Sequence, residues 1–422
     1  MQAFTYQRGI MHAEGVDLRD IAQAVGTPFY CYSRAAFEER YHTFSAVFAD
    51  APHLLCYAMK ANSNQAVLTI LARLGAGMDV VSQGELRRAR AAGVPGSRIV
   101  FSGVGKTATE MAYALDQDIL CFNVESEPEL ALLSEVAASK GATARISIRV
   151  NPDVDALTHA KISTGSYANK FGIPIDDAAR VYAVAAKLPG IEVTGVDMHI
   201  GSQISDLGPF DRATAKLSAL ARELMAQGHR LEHIDVGGGL GVAYKRDNFP
   251  PPAPEAYAQT ILRHTQALGL RLVFEHGRLL AANAGVLVTQ VLYVKKGAAK
   301  TFVIVDAAMN DLIRPTLYDA WHDITPVAEP TRDAAHAKVD VVGPVCESGD
   351  YLAQERDLPE VKAGDLLAVH SAGAYGAVQA GTYNTRLLVP EVMVDGGRFA
   401  VVRARPSYEE VIALDSVPDW WG

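Results

Sequence analysis

Lys60 closes the apolar stretch of "LLCYAMKAN" (residues 54–62). A buried ammonium there costs several kcal/mol unless it is paired or loses its proton. A lysine in such a place can form a Schiff base with a carbonyl. Three other apolar runs end in comparable fashion. "VTGVDMHI" (193–200) ends in His199, a flat ring, and Ser202 follows. "LEHIDVGG" (231–238) runs into Gly237, Gly238 and Gly239, a turn that can present backbone N–H groups to a phosphate. "RLVFEHG" (271–277) ends in Glu275 with Gly277 and Arg278 just after; a carboxylate can hold a ring nitrogen protonated, and a guanidinium can bind an anion. Taken singly, each has an ordinary structural explanation. A strand-end lysine is solvated, a lone histidine satisfies a core, and glycines turn tightly. They gain meaning only if one fold brings them to one face.

The elements that would do so recur from about residue 50. Eight short apolar runs (53–60, 77–82, 98–103, 119–124, 144–150, 193–200, 231–238 and 271–277) alternate with helical patterns such as "NQAVLTILARLGA" and "RATAKLSALARELMAQG". Eight strand–helix units predict a (β/α)8 TIM-type barrel, whose chemistry sits where strands end and βα loops begin. An open doubly wound sheet rarely needs eight strands. After about residue 283 the chain becomes β-rich, with "GVLVTQVLYVKK", "TFVIVD", "KVDVVG", "LLAVHS", "EVMVD" and "FAVVRA" separated by Gly, Pro and Asp. The expected organisation is an N-terminal segment 1–32 joining the β domain, a barrel over 33–283, and an all-β, sandwich-like domain over 284–422. "FPPPAPEA" (249–256) reads as a stiff loop after the seventh strand. "SGVGKT" (102–107) fails the P-loop pattern because position 100 is Val100, and "GGGLGV" (237–242) fails the dinucleotide pattern at Val242.

Composition narrows the partners. With 422 residues two domains are expected. A net charge of −9 argues against nucleic acid or an anionic membrane as partner. The N-terminus lacks a basic head and apolar core, and no stretch approaches a membrane span. Cys31, Cys56, Cys121 and Cys346 lie far apart, with no metal-ligand spacing, which predicts free thiols, no metal and a cytoplasmic protein.

On one barrel face the four groups suit pyridoxal 5′-phosphate: aldehyde to lysine, ring to histidine, nitrogen to acid, phosphate to glycines. The chain resembles the fold-type III pyridoxal-phosphate decarboxylases over nearly its whole length. The matching segments are "YAMKAN" (57–62), "MDVVSQGEL" (78–86), "HAKISTGSYANKFGI" (159–173), "HIGSQI" (199–204), "DVGGGLG" (235–241), "EHGR" (275–278), "AAMNDLIRPTLY" (307–318), "GPVCESGD" (343–350) and "SAGAYGAV" (371–378). "NDLIRP" and "CESGD" point to the diaminopimelate branch. The resemblance implies that Lys60 carries the cofactor, His199 stacks on its ring and Glu275 faces its nitrogen. It implies that Ser202, Gly237, Gly238 and Gly239 bind the phosphate, with Gly277 and Arg278 beside them, and that Tyr375 touches cofactor and substrate. Arg278, Arg314, Tyr318 and Glu347 become the substrate set. Cys346 becomes the proton donor, with Lys60 the other candidate, and reaches the site from the second subunit of a homodimer together with Glu347. The implied reaction is decarboxylation of meso-2,6-diaminopimelate at its D centre to L-lysine and CO2, the last step of lysine biosynthesis. A related decarboxylase acting on ornithine, arginine or carboxynorspermidine, a non-catalytic cofactor-binding homologue, and a racemase are the alternatives. Arg314 favours a substrate with a distal carboxylate. The family usually has proline where this chain has His276, and asparagine where it has Thr382.

Overall fold

The computed structural model describes residues 3–156, 164–165, 170–245 and 250–421. The chain divides into two compact units. One comprises residues 37–243 and 247–280; the other comprises 1–36, 244–246 and 281–422. The observed divisions fall at 36/37 and 280/281, a few residues from the expected 32/33 and 283/284.

The first unit is a closed parallel barrel. Its strands are His53–Ala58, Gly77–Val80, Ile99–Phe101, Cys121–Val124, Ala144–Asn151, Ile191–Met198, His233–Asp235 and Arg271–Phe274, each pairing with the next. The eighth closes on the first through Val273↔Leu54 and Phe274↔Leu55. All eight expected runs are strands, but several end earlier than their apolar patterns suggest. The first stops at Ala58, whose ladder partner is Asp79, and Lys60 sits in a single 3-10 turn, Met59–Ala61. His199, Gly237 and Glu275 likewise lie just past the last strand residue. The apolar run overshoots because the residues after the final ladder pair still line the barrel mouth. Helices return the chain with conventional ends. Asn64 caps Gln65–Leu74 and Gly75 ends it in the left-handed region; Ser126 and Gly141 do the same for Glu127–Lys140. Such a cap contributes about 1 kcal/mol.

The failed P-loop has a structural purpose. Lys106 is buried and donates to Gly103 O (2.8 Å), Asn123 O (2.7 Å) and Glu129 Oε1 (2.7 Å), tying the third barrel strand to the fourth strand and its helix.

The second unit is built on a mixed sheet ordered Tyr351–Pro359, His336–Val342, Thr301–Val305, Gly285–Lys296, Phe29–Ser33, Glu391–Asp395 and Arg398–Arg403. Two of its pairings are parallel: Phe29–Ser33 with Glu391–Asp395, and Thr301–Val305 with His336–Val342. The long strand Gly285–Lys296 bends at a register shift between Val291 and Tyr293. Its first half pairs with Phe29–Ser33 and Leu366–Val369, its second with Thr301–Val305. The N-terminal segment enters through Phe29–Ser33, and Phe4, Met11, Leu18 and Ile21 join the same core as Val286 and Val392. Strand Tyr351–Pro359 is not apparent from sequence because Gln354, Glu355, Arg356 and Asp357 interrupt its pattern, and Glu355 adopts φ 47° at a break in the ladder.

One packing constraint lies within the barrel. At Gly195 a Cβ would collide with the His233 ring and come within 2.6 Å of Ser147 Oγ, two groups joined by a 2.8 Å hydrogen bond. Gly195→Ala is therefore expected to destabilise the protein by roughly 1–3 kcal/mol. Gly105→Ala, with open space around its Cβ, is expected to stay within about 0.5 kcal/mol of wild type. Chemical denaturation of both variants checks the contrast.

Candidate active site

The barrel mouth assembles a set of polar groups around Lys60. Its Nζ lies 2.6 Å from Asp79 Oδ2, and its side chain is 37% exposed while that of Asp79 is fully buried. The lysine is thus not a stranded ammonium. It reaches the mouth, where an ion pair holds it.

Asp197, Asp235 and Glu275 are all buried, with one carboxylate oxygen from each within 4.8 Å of the others, and Lys60 is close enough to Glu275 to act on it electrostatically. Glu275 Oε1 accepts from Ser102 Oγ (3.2 Å) and Asn123 Nδ2 (3.1 Å). Burial, reinforced by the charges of Asp79, Asp235 and Asp197, holds the Glu275 carboxyl well above its ordinary range. Burial also raises Asp235 well above its usual value and pushes Asp197 up to about 7. The charge of nearby Arg149 opposes both shifts, and it is itself paired with Glu125 at 3.0 Å. One oxygen each of Asp79, Asp197 and Asp235 is buried without a hydrogen-bond partner among the described residues. Such a cluster is costly when ionised, and protons or a cationic group offset that cost.

His199 stands at the side. Gly238 N donates to its Nδ1 at 3.1 Å. A backbone N–H can only donate, so Nδ1 accepts and the neutral ring carries its proton on Nε2. Burial, with Arg149, Lys60 and His276 nearby, lowers the His199 pKa well below its usual value, consistent with that form.

The glycine turn is shaped by close approach. A Cβ at Gly237 would strike Met198 O, one at Gly238 would strike Glu275 O, and one at Gly239, where φ is 102°, would strike Gly201 O. Gly237 N donates to Asp235 Oδ1 (2.8 Å) and Gly238 N to His199, so two of the three expected phosphate donors are engaged within the protein. Across from them, Arg278 Nε and Nη2 donate to Ser202 Oγ at 3.3 and 3.0 Å. Gly277 has no room for a side chain, since a Cβ would lie 2.7 Å from Ala58 O. The groups present are those the expected cofactor needs: Ser202, Arg278 and the Gly239 N–H for a phosphate, a flat neutral imidazole, buried carboxyl groups for a ring nitrogen, and a lysine for an aldehyde. The site fits pyridoxal phosphate.

Comparison with known proteins agrees. The family described as "Pyridoxal-dependent decarboxylase, pyridoxal binding domain" matches residues 34–282. The diaminopimelate decarboxylase of Vibrio cholerae is 54% identical over 419 residues, covering 99% of both chains. The chain belongs to the diaminopimelate decarboxylases. It is a pyridoxal-phosphate-dependent carboxy-lyase. The solved diaminopimelate decarboxylase of Helicobacter pylori in complex with L-lysine is 43% identical, with TM-score 0.90 over 94% of this chain and 99% of that one. The corresponding enzyme from M. jannaschii, also with L-lysine, is 35% identical, with TM-score 0.93 over 99% and 98%.

The remaining expected residues belong to the other unit. Arg314 is buried and opens the short helix Arg314–Tyr318, which brings Tyr318 to its end. Cys346 and Glu347 are exposed on a loop that Asp350 organises, its carboxylate accepting from Met309 N and Val345 N at 2.7 Å each. Asn384 Oδ1 accepts from Cys346 N at 3.1 Å. Tyr375 adopts φ 56°, a left-handed conformation that a non-glycine residue takes only under constraint. Of the matching segment 159–173, residues 159–163 and 166–169 lie outside the described residues, as does Phe249 of the proline-rich loop. His276 is buried against Phe44, with ring centroids 4.6 Å apart, and burial lowers its pKa to about 3. Thr382 is exposed.

Several polar residues of the site escaped the sequence reading: Asp79, Ser102, Asn123, Arg149, Asp197 and Asp235. Their signal was the same as that of Lys60, a polar residue inside or at the end of an apolar barrel strand.

Asp197 gives a pH prediction. Its folded pKa of about 7 exceeds the ordinary 3.8, so the folded protein keeps a proton that the unfolded chain has released between those values. This group's contribution to stability therefore falls as pH rises, by up to about 1.4 kcal/mol per pH unit between about pH 4 and 7. In cofactor-free protein, Asp197→Asn is expected to gain melting temperature relative to wild type as pH rises through that window. A difference independent of pH would contradict the shift.

Proposed function

We propose that Lys60, His199, Ser202, Gly239, Glu275 and Arg278 hold the cofactor in the barrel, and that Arg314, Tyr318, Glu347 and Tyr375 read the substrate. The reaction is that of the family: decarboxylation of meso-2,6-diaminopimelate to L-lysine and CO2. The observation that carries the assignment is Lys60, ion-paired to Asp79 and acting electrostatically on Glu275 of a nest of buried carboxyl groups.

When bound, pyridoxal phosphate supplies an electrophilic carbon for the substrate amine and an electron sink for the pair left as CO2 departs. Lys60 tethers it, and Asp79 orients the lysine. Glu275 keeps the proton on the ring nitrogen, where it stabilises developing negative charge. His199 supports the ring face in its neutral form. Ser202, Arg278 and the Gly239 N–H bind the phosphate, while Gly237 and Gly238 admit its approach. Arg278 also borders the substrate. Arg314 receives the distal carboxylate and Glu347 the distal ammonium, since a guanidinium fork matches a carboxylate and an acid matches an ammonium. An acid then returns a proton to the carbon, either the thiol of Cys346 or the Lys60 ammonium.

Cys346 and Glu347 are exposed in the single chain, which supports a homodimer in which each subunit lends these residues to the other's site. Cys31, Cys56, Cys121 and Cys346 are all free thiols, which supports a reducing, cytoplasmic setting. Among the described residues no helix is long and apolar enough to cross a membrane.

Two experiments test this assignment. Arg314→Ala is expected to lower kcat/KM for meso-diaminopimelate by roughly 10² to 10³ or more, with folding and the cofactor's visible spectrum intact. Near wild-type efficiency in a folded variant would contradict the recognition role, as would faster CO2 release from ornithine or arginine than from diaminopimelate in the wild type. Secondly, Lys60→Ala and Cys346→Ala are each expected to be inactive, while mixing them should restore up to about a quarter of wild-type activity through mixed dimers with one intact site. No recovery despite demonstrated subunit exchange would contradict the shared site.

A further inference from the structure

Arg314 does not stand alone in its unit. Its Nη1 lies 2.8 Å from His322 Nε2, and its guanidinium carbon lies 4.5 Å from the centroid of the Tyr244 ring. Tyr244 also meets His322 edge-on, with centroids 5.2 Å apart at 84°. His322 Nδ1 lies 2.8 Å from His370 O, and the imidazole is fully buried. Arg314, Tyr244, His322 and His370 belong to one unit.

The chemistry of these partners fixes the histidine's state. A carbonyl oxygen only accepts, so Nδ1 carries the hydrogen. A guanidinium only donates, so Nε2 offers its lone pair. One neutral tautomer satisfies both bonds. The backbone is fixed as well: His322 O accepts from Arg356 Nη1 at 2.6 Å, and the Arg356 guanidinium lies over the Trp321 ring at 3.5 Å.

A neutral acceptor does something a carboxylate in the same place would not. It fixes the direction of a guanidinium N–H without cancelling the cationic charge. The Tyr244 face adds an attraction to the cation and restricts the plane of the fork. His322 thus directs the arginine without itself neutralising it, and with Tyr244 sets the orientation in which the fork meets an anion.

We propose that His322 is a positioning residue for Arg314, and that with Tyr244 it forms a clamp that makes the arginine selective for the carboxylate at the distal end of the substrate. The proposal rests on the reading of Arg314 as the distal-carboxylate residue. Neither His322 nor Tyr244 carried any signal in the sequence reading.

Two ligands isolate the effect. L-lysine, the product, keeps the distal carboxylate; 1,5-diaminopentane has the same two amines without it. Calorimetric titration of the holoenzyme with each measures the preference directly. His322→Phe keeps a ring but removes the acceptor. It is expected to weaken L-lysine binding by roughly 10-fold or more, as for a lost hydrogen bond to a charged group, while diaminopentane binding changes by less than about twofold. KM for diaminopimelate should rise more than kcat falls, with the visible spectrum of the bound cofactor unchanged. His322→Gln, whose amide oxygen can occupy the Nε2 position, should restore most of the preference. Arg314→Met should abolish it. If Arg314→Met loses the preference and His322→Phe keeps it, the positioning role is overturned while the reading of Arg314 stands. If Arg314→Met keeps the preference, the reading of Arg314 fails and the inference with it. Should His322→Phe not fold, Tyr244→Leu decides from the half-buried side of the clamp: a loss of L-lysine preference by about two- to fivefold supports the proposal, and an unchanged preference overturns it.

Discussion

The barrel mouth is governed by a surplus of buried carboxyl groups. Asp79, Asp197, Asp235 and Glu275 come from four different strands or strand ends and share a small volume with Lys60 and the Arg149–Glu125 pair. Isolated buried carboxylates are unfavourable, so the cluster holds protons or a cation. A protonated ring nitrogen placed at Glu275 is such a cation, and it is also what makes the cofactor an effective electron sink. In the proposed assignment, the feature that costs the empty protein stability is also the one that binds and activates the cofactor.

The fold makes this arrangement possible. Parallel strands end together at one face, one or two residues before Lys60, His199, Gly237 and Glu275. Asp79, Asp197 and Asp235 lie at or one residue before the ends of their strands, and Lys60, His199 and Glu275 follow just past the ends of theirs. Glycines at 237 to 239 let that turn lie against Met198, Glu275 and Gly201 without a side chain between. The same turn donates to His199 and thereby sets its tautomer. The shape of this turn and the orientation of His199 are thus consequences of backbone packing.

Much of this was legible in the sequence. Period and length located all eight barrel strands, and a polar residue closing an apolar run located Lys60, His199 and Glu275. The signal weakened where a polar residue lay within a strand: Asp79 and Asp197 were passed over although they obey the same rule. It also weakened for strand Tyr351–Pro359, where charge and a bulge hide the alternation. His322 and Tyr244 had no local signal, because their role depends on an arginine distant in sequence from Tyr244 and on a hydrogen-bond direction visible only in three dimensions. Nor does the sequence show that Gly237 N and Gly238 N donate to Asp235 and His199, acceptors that the turn itself brings within reach.

In the proposed assignment the lysine paired to Asp79 holds the cofactor. Borohydride reduction of the holoenzyme, followed by digestion and mass spectrometry, tests it most directly. The pyridoxyl label is predicted on the peptide containing Lys60, and Lys60→Ala protein is predicted to remain unlabelled while still folding. A label on another lysine in the wild type, or equal labelling of Lys60→Ala, would contradict the account.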